Sequence, residues 1–271
     1  MLRITDKEYF LPIIEALQGF SEFGTGTTKP MLIRGVCRTT HEKSDYVVKY
    51  LNSPRMSFES SCRELLASFI ARELGLNVAE PALINVTSNF ADSLRGKEGF
   101  NNAINSIGLN YGSKFFGPGF MELIHKQHLN EEQLVQAKQI FALDIFISNA
   151  DRRIDKQNML TNGTKIIIFD HELAFGFIMD IIKNPTPWII GESDMIWIKN
   201  HFFYSTLKGN EHNFITFVEG LYVLDDNFWE KANSLIPNEW KTGQISKIRQ
   251  NLMDLINNRE IFLNEINRLI L

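Results

Sequence analysis

Residues 149–170 read NADRRIDKQNMLTNGTKIIIFD, and this stretch carries the polar side chains on which the predicted fold and function depend. The first ten residues are polar and turn-like, and Asn162-Gly163 between two apolar runs indicates a type I′ hairpin. Asp151 could accept the proton of a substrate hydroxyl or orient it, and Asn158 offers an amide oxygen to a divalent cation. Asp170 ends the second strand, where its carboxylate could bridge Mg²⁺ to phosphates. The alternative is that these acids cap helices and turns.

Upstream, Lys49 lies inside YVVKY, a predicted strand in which Val47 and Leu51 share its face. A buried ammonium needs a partner, and Glu64 on the following predicted helix could supply one. Small residues surround Glu64 at helical spacing, so the helix could approach the sheet closely. A Lys–Glu pair of this kind holds the ammonium against the phosphates of a nucleotide. The alternative is an edge-strand lysine that faces solvent.

The third candidate feature is the glycine-bearing loop Gly24-Thr25-Gly26-Thr27-Thr28-Lys29. Glycines allow backbone N–H groups to approach a phosphate, and hydroxyl groups and Lys29 can add contacts. The loop lacks the GxxxxGK[ST] pattern of a Walker A loop. A flexible surface loop is the alternative interpretation.

The remaining pattern predicts an α+β protein in which a small β-rich lobe with one main helix precedes a larger, mainly helical lobe, with a ligand cleft between them. Predicted strands cover 31–37, 46–51 and 81–86, and a helix covers 57–76. Residues 88–118 are expected to form a long loop with at most one short helix, and the apolar run 120–124 could close the sheet. Asn130 and Gln133 fit a capping box that opens a helix through about residue 147. Further helices are expected over 211–224, 227–235 and 244–271.

Composition excludes several classes of protein. The 271 residues contain 28 Lys and Arg against 32 Asp and Glu, a net charge of −4. This balance gives no reason to expect binding to nucleic acid or to an anionic membrane. The two cysteines, Cys37 and Cys62, cannot form a disulfide framework and are expected to be small core residues in a cytoplasmic protein.

Taken in order, these residues resemble the HipA-like kinases, bacterial members of the protein-kinase-like fold. The matching stretches between residues 24 and 175 are GTGTTKPMLI, YVVKY, RELLASFIARELGLNVAEPALI, NADRRIDKQNML and IIIFDHELAF. The resemblance implies a bilobed kinase with residues 1–124 as the nucleotide-binding lobe and hinge and residues 125–271 as the helical catalytic lobe. It implies ATP and Mg²⁺ as cofactors and phosphorylation of serine or threonine hydroxyls in a protein substrate. Several members act as toxins that an antitoxin restrains.

The resemblance also assigns roles to individual residues. Lys49 becomes the phosphate-binding lysine with Glu64 as its partner, and Asp151 becomes the catalytic aspartate. Asn158 and Asp170 become the metal ligands. The remaining nucleotide contacts would come from the glycine loop, through Gly24, Gly26, Thr27 and Thr28, and from the hinge backbone of Glu122, Leu123 and Ile124. Some members phosphorylate their own glycine loop, so Thr25, Thr27 and Thr28 are candidates for such autophosphorylation.

Departures from the kinase pattern leave several points open. Asp151 and Asn158 are seven residues apart, where most eukaryotic protein kinases have five, so Asp155 could be the metal ligand instead of Asn158. His171 follows Asp170 and could touch phosphate or only orient that carboxylate. A pseudokinase that binds nucleotide without turnover, and a small-molecule kinase or nucleotidyl transferase on the same fold, are the alternative functions. Longer family members carry an additional N-terminal subdomain, which a separate small protein could supply here.

Overall fold

Five strands of the first half of the chain form a closed barrel in the order β1-β2-β3-β5-β4. The computed structural model describes residues 1–24, 28–180, 184–209 and 213–271. Neighbouring strands are antiparallel except β1 and β4, which are parallel. The barrel strands are β1 (Ile13–Glu22), β2 (Met31–Cys37), β3 (Lys43–Lys49), β4 (Pro81–Val86) and β5 (Gly108–Lys114).

The barrel is filled by inward-facing side chains that alternate along each strand, as the two-residue period of a strand requires. Ile14 and Ala16 of β1, Ile33 of β2 and Val48 of β3 are buried in one apolar cluster. The short helices α2 (Ser88–Ser93) and α3 (Phe100–Ile104) add buried residues to the same cluster. The barrel therefore has its own small core.

Two expectations about this region are wrong, and one strand has no prediction. Strand β1 is not predicted from the sequence, because two register shifts and exposed residues such as Leu17 interrupt its alternation. Residues 88–118 form α2, α3 and β5 instead of a long loop. Strand β5 closes the barrel by pairing with β3 and β4, whereas the run 120–124 contributes a strand to a different sheet.

That second sheet has three short strands, β6 (Met121–Glu122), β7 (Met159–Thr161) and β8 (Ile166–Ile168). It is tied to the segment before β4, because Ala79 donates its N–H to the carbonyl of Ile168 at 2.9 Å. The predicted hairpin between β7 and β8 exists, but its loop spans the four residues 162–165 and is not a two-residue type I′ turn. Gly163 at φ +91° supplies the left-handed residue of this loop.

Helix α1 (Phe58–Glu73) begins at a capping box between Ser57 and Ser60 and ends before Gly75, whose φ of +80° suits a helix C-terminus. Helix α4 (Glu131–Phe146) begins at the predicted capping box of Asn130 and Gln133. Both helices lie in one large apolar core that also includes the C-terminal helices. The main helix of the β-rich half thus packs into the same core as the helical half.

The C-terminal half is mainly helical, as expected. The helix predicted over 244–271 is interrupted at Asn258 and forms two helices. The helix predicted over 211–224 is shorter within the described residues. The α-helices that follow the second sheet in the described residues are α5 (Glu192–Ile198), α6 (Tyr204–Leu207), α7 (Ile215–Gly220), α8 (Asp226–Leu235), α9 (Gln244–Asn257) and α10 (Arg259–Ile270).

Cys37 and Cys62 are free and buried, in agreement with the sequence. Within the described residues, every helix is too short or too polar to cross a bilayer.

Candidate active site

Lys49 lies at the end of β3, where its side chain meets three carboxylates. Its Nζ is 2.7 Å from Asp170 Oδ1, 2.9 Å from Glu64 Oε2 and 3.5 Å from Glu172 Oε2. β3 pairs with β2 on one side and β5 on the other, so Lys49 is on a central strand and is only 7% exposed. The alternative of a solvent-facing edge lysine is therefore excluded.

Glu64 reaches this position from α1, a helix whose close packing buries every residue from Ser60 to Glu73. Its second carboxylate oxygen, Oε1, accepts the backbone N–H of His171 at 2.9 Å. Glu64 thus links β3, through Lys49, to the segment that follows β8. A buried ion pair needs such additional hydrogen bonds, because burial removes the water that would otherwise solvate the charges.

The charges in this cluster shift one another's pKa values in opposite directions. Burial alone would lower the pKa of Lys49, but Asp170, Glu64 and Glu172 raise it well above the usual value, so the side chain remains an ammonium. Burial raises the pKa of Glu64 despite the nearby Lys49 charge. Burial acts in the same direction on Asp170, but Lys49 and Lys156 outweigh it and hold the pKa of that carboxyl well below its ordinary range. Asp170 is therefore the carboxylate that stays ionised most firmly.

Asn158 and Asp170 flank the β7–β8 hairpin, and both have left-handed backbones, with φ of +49° and +60°. Asparagine and aspartate adopt this conformation more readily than other non-glycine residues. The N–H of Phe169 donates to the carbonyl of Asn158 at 3.1 Å, which joins the two ends of the hairpin. The local sequence therefore brings the predicted pair of metal-ligating side chains to the same end of the sheet.

Asp151 lies on the loop before β7 and is 4% exposed. Its Oδ2 is 2.5 Å from Lys156 Nζ and 3.4 Å from Asn158 Nδ2. Lys156 Nζ is also 3.4 Å from Asp170 Oδ2. Asp151, Asn158 and Asp170 are therefore neighbours in space, and Lys49 joins them through Asp170.

A buried network that the sequence analysis missed holds the loop in place. Asp144 of α4 accepts hydrogen bonds from Arg152 Nε at 2.6 Å, Asn149 Nδ2 at 2.7 Å and His201 Nε2 at 3.0 Å. Arg152 also donates to the carbonyl of Asn158 at 2.7 Å. Burial raises the pKa of Asp144, but Arg152 and His201 lower it far below its ordinary value, so it remains a carboxylate. A charged residue within the apolar run IFALDIFI is a signal that could have revealed Asp144, whereas His201 is 57 residues away and has no local signal.

His171 belongs to the same network and does not face the carboxylate of Asp170. Its ring is fully buried, with Nε2 3.1 Å from Arg152 Nη2. Burial, with a smaller contribution from the positive charge of Arg152, lowers the pKa of His171 to about 3, so the ring is neutral near pH 7. Two roles were considered for His171, contact with phosphate and a hydrogen bond to Asp170. Neither role matches this orientation of the ring.

Glu172 is a second residue that the sequence analysis missed, although it stands two positions after Asp170. One atom each from Glu64, Asp170 and Glu172 lies within 4.8 Å of the others, a spacing that could suit a metal. Lys49 Nζ is within 3.5 Å of all three, so the cluster already has an ammonium as a shared counter-ion. Asp170 and Asn158 likewise offer a carboxylate and an amide oxygen, which are hard donors of the kind that Mg²⁺ prefers.

Asp155, the alternative ligand, points away from this group. Its side chain is 74% exposed and pairs with Arg153 at 3.1 Å. Asn158 contacts Asp151, whereas Asp155 lies on the outside of the loop.

The glycine loop connects β1 to β2, with Phe23 N–H bonded to the carbonyl of Pro30. Gly24 and Thr28 are described, and Thr28 is buried. The other two predicted nucleotide-binding positions, Gly26 and Thr27, and the candidate phosphorylation site Thr25 lie outside the described residues.

In the predicted hinge, Glu122 pairs with Leu160 across β6 and β7, Leu123 is buried, and the Ile124 side chain is exposed. The N–H of Ile124 donates to Gln127 Oε1 at 3.1 Å, and its carbonyl accepts the N–H of Gln127 at 3.1 Å. Both backbone groups of Ile124 are therefore engaged within the turn.

This arrangement combines a buried lysine–glutamate pair, an ionised aspartate and a loop carrying a second aspartate and an asparagine. Such a set can bind phosphate oxygens, hold a divalent cation and accept a proton from a hydroxyl, which are the requirements of phosphoryl transfer.

Comparison with known proteins gives a family match and similar solved structures. The HipA-like kinase model matches residues 18–268. A proinflammatory kinase from Helicobacter pylori, CtkA, has a solved structure that aligns with a TM-score of 0.48 and 17% identity, over 92% of this chain and 94% of that chain. A search of curated protein sequences finds no match. Because the family match extends over nearly the whole chain, the protein belongs to the HipA-like kinase family.

Proposed function

We propose that this protein is an ATP- and Mg²⁺-dependent serine/threonine kinase. ATP would lie between two lobes, residues 1–124 and residues 125–271. The observation that carries the proposal is the position of Lys49, whose ammonium bridges Glu64 on α1 and Asp170 after β8. Phosphoryl transfer depends mainly on positioning and electrostatic stabilisation, and a lysine held between two such carboxylates is suited to both.

In this proposal Lys49 binds phosphate oxygens of ATP, and Glu64 keeps its side chain oriented. Asp151 accepts the proton of the substrate hydroxyl, or orients that hydroxyl for in-line attack. Asn158 and Asp170 hold Mg²⁺, which when bound neutralises charge on the phosphates. The contacts of Asp151 with Asn158 support this division of roles, because they keep the proton acceptor beside the proposed metal ligands.

The glycine loop and the hinge would complete the nucleotide site. Gly24, Gly26, Thr27 and Thr28 would offer backbone N–H groups to phosphates. Because both backbone groups of Ile124 are engaged with Gln127, adenine would meet mainly the backbone of Glu122 and Leu123. Phosphate on Thr25, Thr27 or Thr28 would compete for the same amides and repel ATP, so autophosphorylation would inhibit the enzyme.

The proposed substrate is a serine or threonine hydroxyl of a protein in the cytoplasm. Restraint by a small antitoxin is part of this proposal.

The test is incubation of the purified protein with Mg²⁺ and ATP labelled at the γ-phosphate, followed by mapping of labelled residues. Wild type should incorporate label, and Asp151→Ala and Asp170→Ala should each lose it. Asp155→Ala is the matched control, because this exposed acid lies on the same loop and pairs with Arg153 instead. Asp170→Ala should also weaken Mg·ATP binding.

Other outcomes would identify the alternative functions. Nucleotide binding without transfer to the protein itself or to any substrate would indicate a pseudokinase. A mass increase equal to AMP would indicate a nucleotidyl transferase, and transfer only to metabolites would indicate a small-molecule kinase. Activity that survives in either alanine variant would contradict the roles assigned to Asp151 and Asp170.

A further inference from the structure

Lys156 is the one lysine besides Lys49 that the described residues bring to the candidate site. Its Nζ is 2.5 Å from Asp151 Oδ2 and 3.4 Å from Asp170 Oδ2. A single ammonium thus joins the proposed proton acceptor to the proposed metal ligand. The roles assigned above make no use of this side chain.

The position of Lys156 is fixed by the backbone. Arg153 and Lys156 exchange two backbone hydrogen bonds, with Arg153 N–H to the Lys156 carbonyl at 3.0 Å and Lys156 N–H to the Arg153 carbonyl at 3.2 Å. Within the same turn, Arg153 and Asp155 pair with each other at the surface. The Lys156 side chain is 30% exposed, so it is partly enclosed beside the two aspartates.

The two lysines divide the oxygens of Asp170 between them. Lys49 contacts Oδ1 and Lys156 contacts Oδ2. Many phosphoryl-transfer sites place two divalent ions among their carboxylates, and in protein kinases both ions are held by an aspartate and an asparagine. Here the space between Asp151 and Asp170 already holds a positive charge that belongs to the chain.

We infer that Lys156 takes the place of a second divalent ion, so that this site binds ATP with one divalent cation, held by Asp170 and Asn158. This inference rests on the proposed function. A fixed ammonium supplies positive charge near the transferred group without requiring a second ion from solution. A neutral side chain in place of Lys156 would remove this charge unless a second metal ion bound between Asp151 and Asp170.

The experiment counts Mn²⁺ ions bound per chain, by electron paramagnetic resonance of free Mn²⁺, with a non-hydrolysable ATP analogue present. Wild type should bind one Mn²⁺ per bound nucleotide. Lys156→Asn removes the charge and adds an amide oxygen, so it should bind two, with the second ion bound at least about tenfold more tightly than in wild type. Lys156→Arg should bind one, because it keeps the charge.

Lys165→Asn is the matched control, since Lys165 is exposed on the β7–β8 loop, and it should bind one ion. Two ions in wild type would overturn the inference whether or not any variant folds. One ion in a folded Lys156→Asn variant, verified by its thermal melting, would also overturn it. A fluorescent ATP analogue that fails to bind wild type would overturn the proposed function together with this inference, whereas binding with two ions would overturn this inference alone.

Discussion

Replacement of Asp144 by asparagine should lower the free energy of unfolding by about 3–5 kcal/mol, the range for breaking a buried ion pair by removing one partner. The Asp144 carboxylate is fully buried and accepts hydrogen bonds from three side chains, and its partner Arg152 is also fully buried. Asparagine keeps the shape of the side chain but removes its charge. The guanidinium of Arg152 would then be enclosed without a counter-ion.

The effect should extend to the candidate site because of what the network supports. Arg152 donates to the carbonyl of Asn158, and Asn149 accepts the N–H of Asp151 at 3.4 Å. A shift of Arg152 or Asn149 would move the loop that carries the side chains of Asp151 and Asn158. We therefore expect Asp144→Asn to reduce phosphoryl transfer as well as stability, although Asp144 touches no proposed substrate atom.

Urea denaturation followed by circular dichroism measures the stability loss. With a slope of about 3 kcal/mol per molar urea, the midpoint should fall by about 1 M or more. Asp155→Asn is the control, because its exposed pair with Arg153 should contribute about 0–1 kcal/mol. The double change Asp144→Leu with Arg152→Met removes both charges and should recover much of the loss. A midpoint for Asp144→Asn within about 0.2 M of wild type would refute the reasoning.

Three further changes test other parts of the structure. Since burial depresses the folded-state pKa of His171 from 6.5 to about 3, the stability that its neutral ring contributes is lost as pH falls below 6.5. Between pH 8 and 5.5, wild type should therefore lose about 1.4 kcal/mol more than His171→Gln in urea titrations, and equal losses would contradict this. Gly112→Ala should destabilise the folded protein by about 1–3 kcal/mol, because a Cβ there would lie 2.8 Å from a carbonyl oxygen of β3. A Cβ at Gly117 meets no atom within 4 Å, so Gly117→Ala should have the melting temperature of wild type. Lys49→Met should reduce the free energy of unfolding by more than about 3 kcal/mol and abolish nucleotide binding, because it leaves buried carboxylates without their shared cation. The control Lys165→Met should change neither property. Calorimetry with an ATP analogue measures the difference in binding.

Signals that act over a few residues could be read from the sequence. The capping box of Asn130 and Gln133 marks the start of α4, and Gly75 marks the end of α1. Helix ends depend on hydrogen bonds between residues three or four apart, so their pattern is local. The order of Lys49, Glu64 and the stretch 149–170 indicated a kinase of the HipA-like family, and the family match confirms that indication.

Closure of the barrel could not be read in this way. Strand β5 pairs with β3 and β4 over separations of more than 20 residues, and its sequence, GLNYGSK, has little apolar character. Strand pairing is decided by which edges the rest of the fold leaves available, and this depends on distant residues.

The sequence by itself determined the family, the main helices and the identity of the polar residues to consider. Only the tertiary structure decided their partners. It placed Lys156 between two aspartates, turned His171 toward Arg152, and joined Asp144 to His201 across 57 residues. The physical reason is that the energy of a charged group depends on its burial and on the charges around it, and both are set by chain segments far apart in sequence.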